Sequence, residues 1–195
     1  MRKPKILVLA GSTRNESIHR KLARQAVEEL QAAGVDATLA DLRDYPMPLY
    51  DGDFETAEGI PPAAKALKDL ARQSDGFAIA SPEYNGSFPA VLKNAIDWIS
   101  RPEPGDRPLE VFRGKTAAIL SASPGPGGGR RVLRQLRDLL EGISVTVIPE
   151  ELSIARCTDA FDPAGRLARP EETGGLQTLA RSLAHAVAMK NQSAA

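Results

Sequence analysis

At 195 residues, with 42% hydrophobic and 26% charged residues, the chain has the length of one domain and the composition of an ordinary globular protein. Its 25 Lys and Arg balance its 25 Asp and Glu, which excludes a basic field for nucleic acid and a polybasic membrane anchor. The single cysteine, Cys157, excludes an internal disulfide and Cys-x-x-Cys chemistry, and the apolar run 6–10 is too short for a signal-peptide core or a membrane span, so a cytoplasmic protein is expected.

Short apolar runs alternate with longer helical stripes along the chain. Ile6-Leu7-Val8-Leu9-Ala10 reads as a buried strand. Ile18, Leu22, Ala26, Leu30 and Ala33 share one helical face, and Gly34 can end that helix. Residues 35–40 form a second, less apolar strand, nearer an edge. A loop rich in Pro and Asp covers 41–62, followed by a helix over 63–73 and a third strand over 76–80. Phe88, Val91, Leu92, Ala95, Trp98 and Ile99 make the next stripe, before a polar loop at 101–113. A fourth strand spans 116–120. Val132, Leu133, Leu136, Leu139 and Leu140 mark a helix, 144–148 a fifth strand, and Leu176, Leu179, Ala180, Leu183 and Val187 a last helix. The tail 191–195 is expected to fray.

This alternation implies a single α/β domain over 1–190, with a parallel sheet covered on both faces. Periodicity does not give the strand order; flavodoxin-like and Rossmann-like windings both fit. In either, ligands sit at the carboxyl ends of the strands. Three loops leave such ends, at 11–17, 81–87 and 121–129, and all are rich in Gly, Ser, Pro or Asn.

The first loop, Gly11-Ser12-Thr13-Arg14-Asn15-Glu16-Ser17, precedes a helix, whose free N–H groups favour an anion. Hydroxyls of Ser12, Thr13 and Ser17 and the fork of Arg14 suit a phosphate. A polar loop with Ser17 as a simple N-cap is the alternative. GxGxxG and GxxxxGK patterns are absent here, which favours a mononucleotide over a dinucleotide or a Walker-type site. The second loop, Ser81-Pro82-Glu83-Tyr84-Asn85-Gly86-Ser87, has stiff ends and an Asn-Gly pair suited to positive φ. It can grip a flat ring, or simply be a turn whose Tyr84 packs. The third, Ser121-Ala122-Ser123-Pro124-Gly125-Pro126-Gly127-Gly128-Gly129, can bring backbone close to a ligand.

Ser-Pro-Glu-Tyr-Asn-Gly at 81–86, followed by Pro89-x-x-Leu92-Lys93-Asn94-Ala95-Ile96-Asp97-Trp98, resembles the signature of NADPH-dependent FMN reductases. These are flavodoxin-like quinone, chromate and azo-dye reductases. Gly-Ser-x-Arg-x-x-Ser at 11–17 is similar to that family's phosphate loop. The resemblance extends over nearly the whole chain, including 44–50 and 159–167.

The resemblance implies a flavodoxin-like, doubly wound five-stranded parallel sheet of order 2-1-3-4-5. It implies that Ser12, Arg14 and Ser17 bind the phosphate of FMN. Pro82, Glu83, Tyr84, Asn85 and Gly86 would border the isoalloxazine, largely through backbone groups. Residues 121–128, with Ser121, Ser123 and Gly127, would close its far side. NADPH or NADH would be co-substrate, and a small-molecule acceptor (a quinone, azo compound, metal oxyanion or free flavin) would be reduced by a ping-pong mechanism. A homodimer or homotetramer is implied, with 88–99 and 101–113 as interface elements; Trp98 fits an internal core equally. The rival reading is a flavodoxin-like electron carrier without NAD(P)H turnover. Two positions depart from the pattern: His19 stands where the family often has Asn, and Leu133 where some members have Tyr.

No protein acid or base and no metal site is assigned. Asp51-Gly52-Asp53-Phe54-Glu55 begins like a calcium loop but lacks the required Gly and closing Glu. His19 and His185, on different helices without a metal partner pattern, read as surface histidines, and Cys157 as an inert thiol.

Overall fold

A computed structural model describes residues 2–193. Its strands are β1 (Lys5–Ala10), β2 (Asp36–Asp41), β3 (Gly76–Ala80), β4 (Thr116–Ala122) and β5 (Thr146–Ile154). The helices are α1 (Ile18–Ala32), α2 (Gly52–Glu58), α3 (Pro62–Gln73), α4 (Ala90–Ile99), α5 (Arg130–Gly142) and α6 (Pro170–Ser193), with short 3-10 turns at Leu42–Asp44 and Cys157–Asp159. Of the tail expected to fray, residues 191–193 continue α6, and 194–195 lie outside the described residues.

The five strands are parallel in the order β2-β1-β3-β4-β5, as the resemblance implied. β1, β3 and β4 are buried nearly end to end, because helices cover both faces of the sheet. Ile6, Val8, Ala78, Ala118 and Leu120 face α1 and α6; Leu7, Leu9, Phe77, Ile79 and Ile119 face α3, α4 and α5. Gly76 is required where β3 begins, since a Cβ there would meet the Thr116 carbonyl of β4.

The edge strands look different. β2 exposes Asp36 and Thr38. β5 is longer than the expected 144–148: a register irregularity opposite Ala117–Ile119 accommodates Ile148, Pro149 and Glu150, and pairing resumes from Glu151 through Ile154. A proline and a bulge are tolerated there because an edge strand has one unpaired side.

The loop 41–62 contains an element without an apolar stripe. Asp51 caps α2 by accepting from Asp53 N–H and Phe54 N–H, and no residue of α2 is buried. Tyr50 and Phe54 pack edge-on against Trp98, with ring centroids 5.1 and 6.0 Å away. Trp98 is fully buried and donates from Nε1 to the Pro48 carbonyl (2.8 Å), so it is core, not an interface side chain. The loop 101–113 is pinned to α3 by Lys68, whose buried ammonium donates to the Arg101 carbonyl (2.6 Å) and Asp106 (2.7 Å) and pairs with Glu103 (3.2 Å).

Candidate functional site

Three hydrogen bonds set the level at which the loops leave the sheet. Gly11 N–H donates to the Ala80 carbonyl (2.8 Å), Ser81 N–H to Leu120 (2.9 Å), and Ser123 N–H to Ile154 (2.9 Å). The carboxyl ends of β1, β3 and β4 therefore meet at one height. A cleft opens there, lined by Ser12, Arg14, Glu16, Ser17, Ile18 and His19 from the first loop and the start of α1. Pro82, Glu83 and Tyr84 contribute from the second loop, and Ala122, Ser123, Pro124 and Cys157 from the far side.

The first loop is built to face an anion. Ser17 occupies the N-cap of α1 with extended backbone, yet its hydroxyl makes no capping bond. It is buried, as is Ser12. Arg14 is exposed, and its guanidinium pairs with no group among the described residues. The amides of Asn15 and Glu16 likewise donate to no described protein group. Ser12 Oγ accepts from Arg14 N–H (3.4 Å), which leaves its proton, like that of Ser17, free to donate. Two such hydroxyls, an unpaired guanidinium and open amides beside a helix N-terminus fit a phosphate well, and the simple N-cap alternative loses its defining bond.

His19 sits on the first turn of α1, where its Nε2 accepts from Ala122 N–H (3.2 Å). That contact ties the phosphate loop to the end of β4. With Nε2 accepting, the neutral ring carries its proton on Nδ1. The expectation of a surface histidine fails here: His19 is buried against the end of β4, because its ring is used to satisfy the Ala122 amide, and that burial pushes the imidazole down to about 4, so it is neutral near pH 7.

The second loop is a tight turn. Tyr84 and Ser87 exchange backbone hydrogen bonds (2.8 and 3.0 Å) around Asn85 (φ 53°) and Gly86 (φ 84°). Two successive positive φ values explain the Asn-Gly pair. Tyr84 is about half exposed, whereas Asn85 and Gly86 form the tip, outside the cleft lining. The turn is anchored to α5. Glu83 accepts from Arg131 Nε (2.9 Å) and Val132 N–H (3.4 Å), and Gln135 donates to the Gly86 carbonyl (2.8 Å) and accepts from Ser87 Oγ (2.6 Å). The Glu83 carboxylate is thus occupied by the protein.

The third loop divides. Ser123 and Pro124 line the cleft. Ser121 does not: its fully buried hydroxyl donates to the Ser81 carbonyl (2.7 Å) beneath the glycine run. Gly128 and Gly129, both at positive φ, lie so close to Ser153 and Ser121 that a Cβ would collide. These glycines serve packing, and Gly127 also falls outside the cleft lining. Cys157 was read as inert; it is buried, burial raises its thiol, and it forms part of the cleft wall. No group of His, Cys, Asp and Glu among the described residues can hold a metal ion, and no helix among them is long and apolar enough to cross a membrane.

The sequence profile of NADPH-dependent FMN reductases matches residues 4–159. The chain is 40% identical over 164 residues to an NAD(P)H-dependent FMN reductase of Pseudomonas aeruginosa, an alignment covering 84% of each chain. It is 38% identical over 146 residues to a quinone reductase of Escherichia coli K12, covering 75% of this chain and 74% of that one. In three dimensions it is similar to a flavoenzyme NAD(P)H:(acceptor) oxidoreductase of Paracoccus denitrificans, with a TM-score of 0.81 and 25% identity over 96% of this chain and 98% of the other. Profile, relatives and fold agree with the anion-ready loop: the chain belongs to the NADPH-dependent FMN reductase family, and is a flavodoxin-like oxidoreductase with FMN as cofactor and NAD(P)H as co-substrate.

Proposed function

We propose that this single-domain enzyme passes electrons from NADPH or NADH to quinones, and with broader tolerance to azo compounds, metal oxyanions or free flavin. The observation that carries the reading is the cleft itself. Its phosphate end is lined with uncommitted donors, and its other end opens beside the half-exposed Tyr84.

Ser12, Arg14 and Ser17, with the amides of Asn15 and Glu16, hold the phosphate of FMN. Pro82, Glu83, Tyr84, Asn85 and Gly86 border the ring through backbone and the Tyr84 face, with Glu83 fixing the turn against α5. Ser123 flanks the far side. Bound there, FMN supplies hydride acceptance from the nicotinamide and electron delivery to the acceptor. The chain's own groups orient and enclose; no side chain is assigned as acid or base, and solvent supplies protons. Sharing of one open cleft by donor and acceptor supports ping-pong kinetics.

A homodimer or homotetramer in the cytoplasm belongs to the same proposal. It is supported by the exposed apolar side chains of Leu49, Tyr50 and Phe54 and by a lone thiol that needs no oxidising compartment.

The test is anaerobic. Protein purified with FMN is titrated with NADPH and with NADH, and initial rates are then measured against a benzoquinone. Bleaching of bound flavin and parallel double-reciprocal plots are expected. Bound flavin that neither nicotinamide bleaches would point to the electron carrier instead, and intersecting plots would remove the ping-pong scheme.

A further inference from the structure

The phosphate loop carries carbonyl oxygens as well as amides, and a carbonyl facing the cleft would repel an anion. Arg20 holds one of them, that of Asn15, and shares a second with the Ser17 amide, which also donates to the Arg14 carbonyl (3.3 Å). Its side chain is 7% exposed, an unusual setting for a guanidinium, and it lies directly beneath the loop. Nη1 donates to the Asn15 carbonyl (2.9 Å) and, more weakly, to the Arg14 carbonyl (3.4 Å), while Nη2 pairs with Asp41 at 2.6 Å. Asp41 closes β2, so the clamp is fixed to the sheet. The same carboxylate is held by Arg43, whose Nη1 donates to the Asn15 side chain (2.9 Å). Asn15 is thereby gripped at its carbonyl and at its amide group by two arginines that share one acid.

A trans peptide sets its C=O and the next N–H in opposite directions. Carbonyls of Arg14 and Asn15 turned inward onto Arg20 therefore turn the amides of Asn15 and Glu16 outward. Those are two of the amides without a protein acceptor. We propose that Arg20, clamped by Asp41, is the positioning residue that sets the polarity of the phosphate loop: it draws two carbonyls away from the cleft, presents two amides to it, and selects the phosphorylated flavin over the unphosphorylated one. Arg20 touches neither cofactor nor substrate; it acts through the loop backbone. This rests on the loop being the FMN phosphate site.

Binding of FMN and of riboflavin to cofactor-free protein, followed by quenching of flavin fluorescence, tests the inference. Arg20→Lys keeps the charge and the pairing with Asp41 but has too few directed donors to hold both carbonyls as well. It is expected to weaken FMN binding at least tenfold and to leave riboflavin binding within twofold. The paired substitution Arg20→Gln with Asp41→Asn removes the buried charges together, so that neither is left unpaired, and is expected to give the same loss of selectivity. Circular dichroism and thermal unfolding establish that each variant is folded. If Arg20→Lys is misfolded, the paired variant decides. If both are misfolded, Asn15→Pro, which deletes one presented amide in an exposed loop, must lower FMN affinity alone. Unchanged FMN affinity, or equal losses for FMN and riboflavin, overturns the positioning role. Wild-type protein that binds riboflavin as tightly as FMN overturns instead the assignment of loop 11–17 to the phosphate.

Discussion

Arg14 and His19 line the same end of the cleft, proposed above to take the FMN phosphate, and they fail differently. Arg14 is an exposed charge with no side-chain partner among the described residues, so its removal costs the fold little. Arg14→Ala is expected to weaken FMN binding by about 1.5–3 kcal/mol, the range for a charge-assisted hydrogen bond, or roughly 10- to 150-fold. Equilibrium dialysis reads this directly, and unchanged affinity removes Arg14 from the site. His19 is buried and neutral, with its pKa lowered from 6.5 to about 4. Between those values the unfolded chain binds a proton that the folded chain refuses. Stability from this residue is complete above pH 6.5 and declines as pH falls through the window, by about 3 kcal/mol at its foot. Urea unfolding of cofactor-free protein at pH 7 and pH 4.5 measures the slope. His19→Gln keeps an acceptor for the Ala122 amide and should flatten it; an unchanged slope would show that other groups carry the acid sensitivity. That Ser12, Arg14 and Ser17 would line one cleft was legible in the sequence because they lie within a single short loop. The burial of Ser121 was not, because a serine at a strand end reads the same whether its hydroxyl faces a ligand or a neighbouring carbonyl.

Elements with a strong apolar period were legible; those held by polar contacts were not. β3 falls at 76–80 as expected, and the inward faces of α1, α3 and α5 follow their apolar stripes. α2 escaped because it buries nothing, and its only signal is the capping Asp51. The second half of β5 escaped because Pro149, Glu150 and Glu151 interrupt the hydrophobic run. The Arg20–Asp41–Arg43 clamp escaped because Asp41 and Arg43 read as an ordinary local pair, and Arg20 meets them only once α1 has packed beside β2. The same holds for Lys68, whose acidic partners lie on the far side of β3 and α4 in the chain. Arg72 and Lys68 hold the Asp106 carboxyl well below the usual carboxylate range. Lys68→Met leaves Asp106 to Arg72 and Glu103 to Lys65 and Arg72, so its cost should fall near the lower end for breaking a buried pair, about 3 kcal/mol. A shift in the urea midpoint without loss of FMN binding is the expected result; loss of FMN binding would mean that loop 101–113 also supports the cleft.

For the whole molecule, the cleft is a thermodynamic handle as well as a reaction site. Ligand that binds only the folded form stabilises it by mass action, by about 2.7 kcal/mol at a hundredfold excess over Kd. For a chain of this size that raises Tm by roughly 5–10 °C. Differential scanning fluorimetry should show this shift with FMN and a smaller one with riboflavin at equal concentration, because riboflavin leaves the donors of 11–17 unanswered. Equal shifts would argue that the ring alone supplies the binding energy.

The two sheet edges also govern how copies can meet. β2 presents Asp36 and Thr38 to solvent, and β5 presents a bulge with Pro149 and Glu150, followed at once by the exposed Glu151. A second copy laid against β5 would find a missing donor at Pro149, a broken register and like charges nearby. Growth by adding strand to strand is thereby suppressed, and contacts between copies are diverted to helical and loop surfaces. What the edges remove is the open-ended ribbon; a finite assembly of this chain would have to be built from those other surfaces.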